Sequence, residues 1–278
     1  MIEFDNVTRS YGTKVAVDGL TLSVPRGELF AFLGPNGAGK TTSIKLSVGL
    51  LRPGSGTVRV CGYDVTDQPR EAKRRISYVP DEPYLYEKLT GREFLRFVAD
   101  MYGLSPARAE ANLQREIGHF ELAPFVDQLT ESYSHGMKQR LVFASALLHD
   151  PEVLVVDEPM VGLDPRSIRL VKDLLRQRAS EGVTVFMSTH ILSLAEEIGQ
   201  RVGIINHGKL LFVGTLAELK QRMARHDQSL EELFLQLTQS QVAVSAASRA
   251  GSGDTVATGG HDGAIRHMLG TPPIAEGM

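Results

Sequence analysis

Residues 34–42 read Gly34-Pro35-Asn36-Gly37-Ala38-Gly39-Lys40-Thr41-Thr42. The spacing is G-x-x-x-x-G-K-[ST], that of a loop whose backbone N–H groups wrap a phosphate chain. The run Glu28-Leu29-Phe30-Ala31-Phe32-Leu33 before it reads as a buried strand, and Ser43 to Leu51 after it reads as a helix start. Strand, glycine-rich turn and helix is the setting in which this spacing carries chemistry. Glycine lets N–H groups approach an anion without obstruction by Cβ. The helix N-terminus adds partial positive charge at the same place. Gly34 to Thr42 are therefore the candidate nucleotide-binding residues. Lys40 is expected on the β- and γ-phosphates and the Thr41 hydroxyl on Mg²⁺.

A second strand carries the complementary charge. Val153-Leu154-Val155-Val156 is apolar and ends in Asp157-Glu158-Pro159. Strands of buried parallel sheets place polar residues at their carboxyl ends, where ligands bind. Asp157 suits a Mg²⁺ ligand, direct or through water. Glu158 suits a base for the water that attacks a γ-phosphate. His190 follows a third strand, Val183 to Ser188, expected beside the phosphate-loop strand. From there it is a candidate γ-phosphate contact that holds the attacking water in line.

Around these segments the pattern is α/β. Short strand-like runs at Ile2–Val7, Val15–Val17, Leu20–Val24 and Thr57–Val60 predict a small antiparallel sheet. Residues 82–150 predict an inserted helical subdomain, with Thr90 and Glu93 as a capping box and Ser105-Pro106 opening a helix. The α/β alternation returns with helices from Asp164-Pro165 to Ala179 and Ile191 to Ile198, and a strand at Val202–Asn206, which implies a parallel sheet. Ser229 and Glu232 predict a last helix to about Leu237. Residues 239–278, rich in Ala, Gly and Ser, are expected to form a disordered tail, leaving 1–238 as the folded domain.

The 278 residues carry 30 Lys+Arg against 33 Asp+Glu, a net charge of −3 without the basic excess of a nucleic-acid binder. The single cysteine, Cys61, cannot close an internal disulfide and is expected as a small buried strand residue in a reducing compartment. The chain opens on Ile2-Glu3-Phe4 without a basic-then-apolar signal segment, and no apolar run reaches the ~20 residues that span a bilayer. Any membrane role is then expected to need a partner.

In this order, the motifs resemble the nucleotide-binding subunits of ABC transporters, over about residues 1–238. Gly162-Leu163-Asp164-Pro165 looks like that family's D-loop and Ser188-Thr189-His190 like its switch histidine. Ser132-Tyr133-Ser134-His135-Gly136-Met137-Lys138-Gln139-Arg140 looks like the family signature, with Tyr133, His135 and Met137 at the first, third and fifth places of L-S-G-G-Q. Ser134 and Gly136 keep the hydroxyl and the unobstructed N–H at a helix start. The resemblance implies a P-loop NTPase core, ATP and Mg²⁺ as ligands, and ATP hydrolysis by Glu158, His190 and Lys40. It places Tyr11 on the adenine ring, and Ser134 and Gly136 on the ATP of the opposite subunit in a head-to-tail homodimer or heterodimer. Asp81, in Tyr78-Val79-Pro80-Asp81-Glu82-Pro83, stands near the usual glutamine and is a further candidate for Mg²⁺. The signature variant, Asp81 and Ser229-Leu230-Glu231-Glu232-Leu233-Phe234 resemble the ABC-2 type, largely exporters.

The expected function is thus the ATPase subunit of a transporter, peripheral on the cytoplasmic face through a separate permease. Pro83, Tyr84, Leu85 and Tyr86 offer either a coupling patch or core of the helical subdomain. The competing readings are a soluble ATPase of the same type in DNA repair, translation or cofactor assembly, and a binding module that associates on ATP without hydrolysing it. The absence of heptad runs, the single cassette and the balanced charge weigh against the first. Lys40, Asp157, Glu158 and His190, all present, weigh against the second.

Overall fold

The computed structural model describes residues 1–222 and Phe234. The helix expected to end near Leu237 and the expected 239–278 tail lie outside the described residues. The chain opens with a hairpin, Ile2–Tyr11 (β1) and Lys14–Val24 (β2). Alternation along β1 buries Ile2 and Phe4; a bulge at Asn6, in the left-handed region at φ 48°, turns Val7 inward as well. Leu29–Leu33 (β3) follows and is wholly buried. Lys40–Ser47 (α1) comes next, then Ser55–Val60 (β4), Tyr63–Asp64 (β5), Pro69–Lys73 (α2) and Ile76–Val79 (β6). Strands β1, β2, β4 and β5 form an antiparallel sheet in the order β2-β1-β4-β5.

Three helices then interrupt the α/β pattern: Gly91–Met101 (α3), Pro106–His119 (α4) and His135–Leu147 (α5). The Thr90 hydroxyl accepts the Glu93 N–H at 3.2 Å and the Glu93 carboxylate accepts the Thr90 N–H at 2.8 Å, so the capping box is formed. Ser105 caps α4, with Pro106 at its first position. The chain returns through Val153–Asp157 (β7), Pro165–Ser180 (α6), Thr184–Thr189 (β8), Leu192–Ile198 (α7), Arg201–Asn206 (β9), Lys209–Gly214 (β10) and Leu216–Arg222 (α8). The second sheet runs β10-β9-β3-β8-β7-β6, parallel except for β10. Because β6 and β7 are neighbours, the helical stretch is an insertion between adjacent parallel strands.

Both faces of this sheet are covered, and residue parity separates them. Leu29, Ala31, Leu33, Leu154, Val156, Val185 and Met187 face the core shared with the helices. Phe30, Phe32, Val153, Val155 and Phe186 face the core shared with the antiparallel sheet and α1. Phe186 is the hub of the second core: its ring lies 5.4 Å from Phe32, 5.8 Å from Phe30 and 6.1 Å from Phe4 of β1. These rings join the two sheets through offset and tilted contacts.

The helical insertion is tied to the core by charge as well as apolar packing. Glu116 of α4 is fully buried and receives Arg115 at 2.7 Å and Arg178 of α6 at 3.3 Å. Arg166 of α6 holds the Glu121 carboxylate through contacts of 2.8 and 2.6 Å.

Several expectations change. The helix after the phosphate loop spans Lys40–Ser47 rather than Ser43 to Leu51, since Gly39 at φ 112° turns the chain straight into the helix and Gly49 at φ 67° follows its end. Cys61 is not in a strand: it occupies the turn after β4 at φ 52° and is half-buried. Its thiol is pushed up to about 11 by burial and the nearby Glu152 carboxylate, leaving it protonated at neutral pH. Strands β6 and β10 and helices α2 and α8 were not anticipated. Among the described residues no helix is long and apolar enough to cross a membrane.

Phe186→Ala should cost about 3–5 kcal/mol, the range for emptying a close-packed aromatic site, in urea unfolding followed by circular dichroism. A loss below about 1 kcal/mol would mean that these rings do not hold the sheets together.

Candidate functional site

Strand β8 hydrogen-bonds in parallel to both β3 and β7, pairing Leu33 with Thr189 and Asp157 with Ser188. Three carboxyl ends therefore reach one edge together. The first leads into the phosphate loop and α1, the second into Glu158, the third into His190. Helix α1 has no side-chain cap and no acidic residue in its first turn, so its leading N–H groups are available to an anion. The loop approaches its surroundings closely: a Cβ on Gly34 would meet the Ile205 carbonyl at 2.5 Å, and one on Gly39 the Ala16 carbonyl at 2.4 Å.

A cavity of about 290 Å³ opens at this edge. Asn36, Gly37, Gly39, Lys40, Thr41 and Thr42 line one side; Tyr11, Asp81 and Glu158 complete it, together with Lys14 and Ala16. Gly34, Pro35 and Ala38 shape the loop without lining the cavity. The Lys40 ammonium donates to the Gly34 carbonyl at 2.8 Å and the Pro35 carbonyl at 3.3 Å, and lies 3.3 Å from Glu158 Oε1. The other oxygen of Glu158 meets His190 Nδ1 at 2.9 Å. One carboxylate thus spans a cation and an imidazole. Glu158 itself sits in the left-handed region at φ 47°, a strained setting for a non-glycine residue. Its N–H is held by the Ser188 carbonyl at 3.2 Å and hydroxyl at 3.1 Å.

Asp157 is fully buried beneath Glu158. The Ser188 hydroxyl donates to its Oδ1, while Oδ2 has no hydrogen-bond partner. Burial raises its carboxyl above the usual range; the Ser188 and Thr41 hydroxyls pull it down, and Asp81 and Glu158 raise it further. A buried carboxylate oxygen without a partner, beside a hydroxyl and near two more carboxylates, fits a hard divalent cation. Among the described residues no group of three His, Cys, Asp or Glu is arranged to hold a metal by itself. Mg²⁺ takes one or two protein oxygens and completes its shell with phosphate and water.

Tyr11 is 46% exposed, with the Arg9 guanidinium 5.4 Å from its ring centroid. Ser134 and Gly136 are not brought to this cavity. Ser134 caps α5, its hydroxyl accepting the Met137 N–H at 3.3 Å. Among the described residues a Cβ on Gly136 would meet only Asp164 and Ser167, at 3.7 and 3.8 Å, both ordinary contact distances.

These features are matched in known proteins. The family described as ABC transporter matches residues 17–161, from β2 through the carboxylate strand to the loop after it. The chain belongs to the ABC transporter family. The daunorubicin/doxorubicin resistance ATP-binding protein DrrA of Streptomyces peucetius is 41% identical over 222 residues, 80% of this chain and 67% of DrrA. A solved ATP-binding subunit of an ABC transporter superposes with a TM-score of 0.81 at 34% identity, over 85% of this chain and 99% of that one. The ATP-binding cassette MJ0796, solved as a dimer in a post-hydrolysis state with ADP and Pi, superposes with a TM-score of 0.72 at 25% identity, over 78% and 99%. This ABC transporter subunit binds and hydrolyses ATP, on a P-loop NTPase core with mainly parallel strands.

The role of Ser188 escaped the sequence reading, which took it as the end of a strand. Its signal lies in the pairing of Asp157 with Ser188, a contact between strands far apart in the chain. Lys14 and Ala16 were missed for the same reason.

Gly39→Ala should displace the phosphate loop, since the added methyl would press on the Ala16 carbonyl in a backbone conformation that disfavours any side chain. A fall in ATP affinity of tenfold or more by calorimetry is expected, with the fold retained by circular dichroism. Unchanged affinity would mean that the hairpin does not constrain the loop.

Proposed function

We propose that this chain is the ATP-driven motor of a membrane exporter, its catalytic centre at the edge where β3, β7 and β8 end. The observation that carries the proposal is the Glu158 carboxylate held between Lys40 and His190. The triphosphate lies along the loop from Gly34 to Thr42, on the free N–H groups of α1, with Tyr11 against the base. The γ-phosphate takes the Lys40 ammonium, and Lys40 gives up Glu158 in exchange. The freed carboxylate accepts a proton from water as the water oxygen bonds to the γ-phosphorus. The bond from that phosphorus to the β–γ bridging oxygen breaks, and ADP and phosphate leave. His190 holds the water and the γ-phosphate in line. Thr41 and Asp157, with Asp81 as a further oxygen donor, would hold Mg²⁺, which neutralises charge on the phosphate oxygens.

Ser134 and Gly136 serve the nucleotide of a second ATP-binding subunit, an identical copy or a relative, in a head-to-tail dimer. Support comes from their exposure away from this chain's own cavity and from the dimer reported for MJ0796. The cassette covers residues 1–238, with the helical subdomain at about 82–150. A separate permease carries the substrate, so the subunit sits on the cytoplasmic face of the membrane; no nucleic acid is involved. The resistance role in the name of DrrA supports export. The coupling patch on the helical side centres on Tyr84 and Tyr86, 79% and 49% exposed, with Phe97 5.5 Å from Tyr86, ring to ring. Leu85 between them is buried and belongs to the subdomain core.

Glu158→Gln should lower ATP turnover by about 10²–10⁴ and leave an ATP-bound dimer visible by size exclusion. Turnover near that of the wild type would remove Glu158 from the mechanism. Tyr84→Ala with Tyr86→Ala should abolish transport in vesicles containing the permease while basal ATPase continues. Normal transport by that variant would place the coupling surface elsewhere.

A further inference from the structure

The nucleotide cavity contains a cation for which the catalytic reading has no use. Lys14 is the first residue of β2 and pairs with Tyr11 across the hairpin turn. The hairpin is seated firmly on the phosphate loop. The Asp18 N–H donates to the Gly208 carbonyl at 2.9 Å, and the Gly208 N–H donates to the Ala38 carbonyl at 2.8 Å. The Ala16 carbonyl closes on Gly39. The backbone of Lys14 is thereby fixed against the cavity that its side chain lines.

Its ammonium makes no ion pair or hydrogen bond among the described residues, whereas the neighbouring lysines are engaged: Lys40 with Glu158, and Lys209 with Asp18 at 3.4 Å. Without Lys14, the charged lining is Lys40 against Asp81 and Glu158, a net negative wall for a polyanion. Lys40 points to the Gly34 carbonyl and Glu158, the end where the terminal phosphate would react. Lys14 stands at the Tyr11 end.

We infer that Lys14 is a nucleotide-binding residue whose ammonium engages the α-phosphate end of ATP and ADP, opposite Lys40. The two cations bracket the phosphate chain, and Lys14 binds substrate and product alike while Lys40 serves the γ-phosphate. A contact present in both states sets affinity and leaves the chemical step alone. This rests on the reading that the cavity takes ATP.

The test is calorimetry on the full chain with ATP, ADP and adenosine, each with Mg²⁺. Lys14→Gln should bind ATP and ADP about three- to fivefold more weakly, the scale of an exposed ion contact, and adenosine as the wild type does. The deficit should shrink at high salt, and Lys14→Arg should restore affinity. Unchanged affinity for ATP and ADP, or an equal loss for adenosine, would overturn the assignment and leave Lys14 a solvated hairpin residue. Lys40→Ala separates the two levels: if it binds ATP like the wild type, the cavity reading fails and Lys14 with it; if it alone loses ATP, only Lys14 fails.

Discussion

Strand β8 lies between β3 and β7 and hydrogen-bonds in parallel to both, and the catalytic edge depends on that placement. Parallel strands in register bring their carboxyl ends level, so loops far apart in sequence open on one line. Ser188, near the end of β8, shows how local the consequence is. Its hydroxyl donates to Asp157 and accepts the Glu158 N–H, so one side chain holds the Asp157 carboxylate and the Glu158 backbone that follows it. A shift of β8 by one residue would exchange its two faces, set Thr189 opposite Asp157 in place of Ser188, and undo this arrangement.

The edge is costly to build. Asp157 is buried with an oxygen unsatisfied, and Glu158 is in a left-handed conformation. Each such feature costs on the order of 1–3 kcal/mol. The packed faces of the sheet offset them, through the aromatic contacts around Phe186 on one side and the aliphatic core under the helices on the other. A bound cation would relieve the first of these costs, since it supplies charge to the unpartnered Asp157 oxygen. The strained residues thus stand where the ligand binds.

The helical insertion explains the departures in the signature segment. Tyr133, at the first place, is buried: its hydroxyl donates to the Phe125 carbonyl at 2.7 Å and its ring meets Phe125 edge-on at 5.0 Å. That position is part of the insertion's own core, so a larger ring is tolerated where its polar tip finds an acceptor. His135 turns back to the Val161 carbonyl at 3.2 Å, and Met137 packs against the core. Tyr133 is buried, and His135, though exposed, and the half-buried Met137 each contact this chain. Ser134, one of the two retained places, is exposed, and Gly136 is half-exposed.

The local signals were legible in the sequence. The glycine spacing from Gly34 to Lys40, the capping box of Thr90 and Glu93, the Ser105-Pro106 helix start and the apolar strand ending at Asp157 each rest on contacts within a few residues. So does the order of strands and helices, which implied a parallel sheet with a helical insertion. Other features were decided only in three dimensions. The pairing of Asp157 with Ser188, the exchange partner that Lys40 finds in Glu158, the seating of Lys14 against the phosphate loop and the opposite fates of Tyr84 and Leu85 all join residues that no local pattern relates. Hydrophobic periodicity states which face of an element is buried, but not which neighbour buries it. That choice belongs to the packing of the whole chain, because apolar burial is non-directional and only register, shape and hydrogen-bond satisfaction select one partner among many.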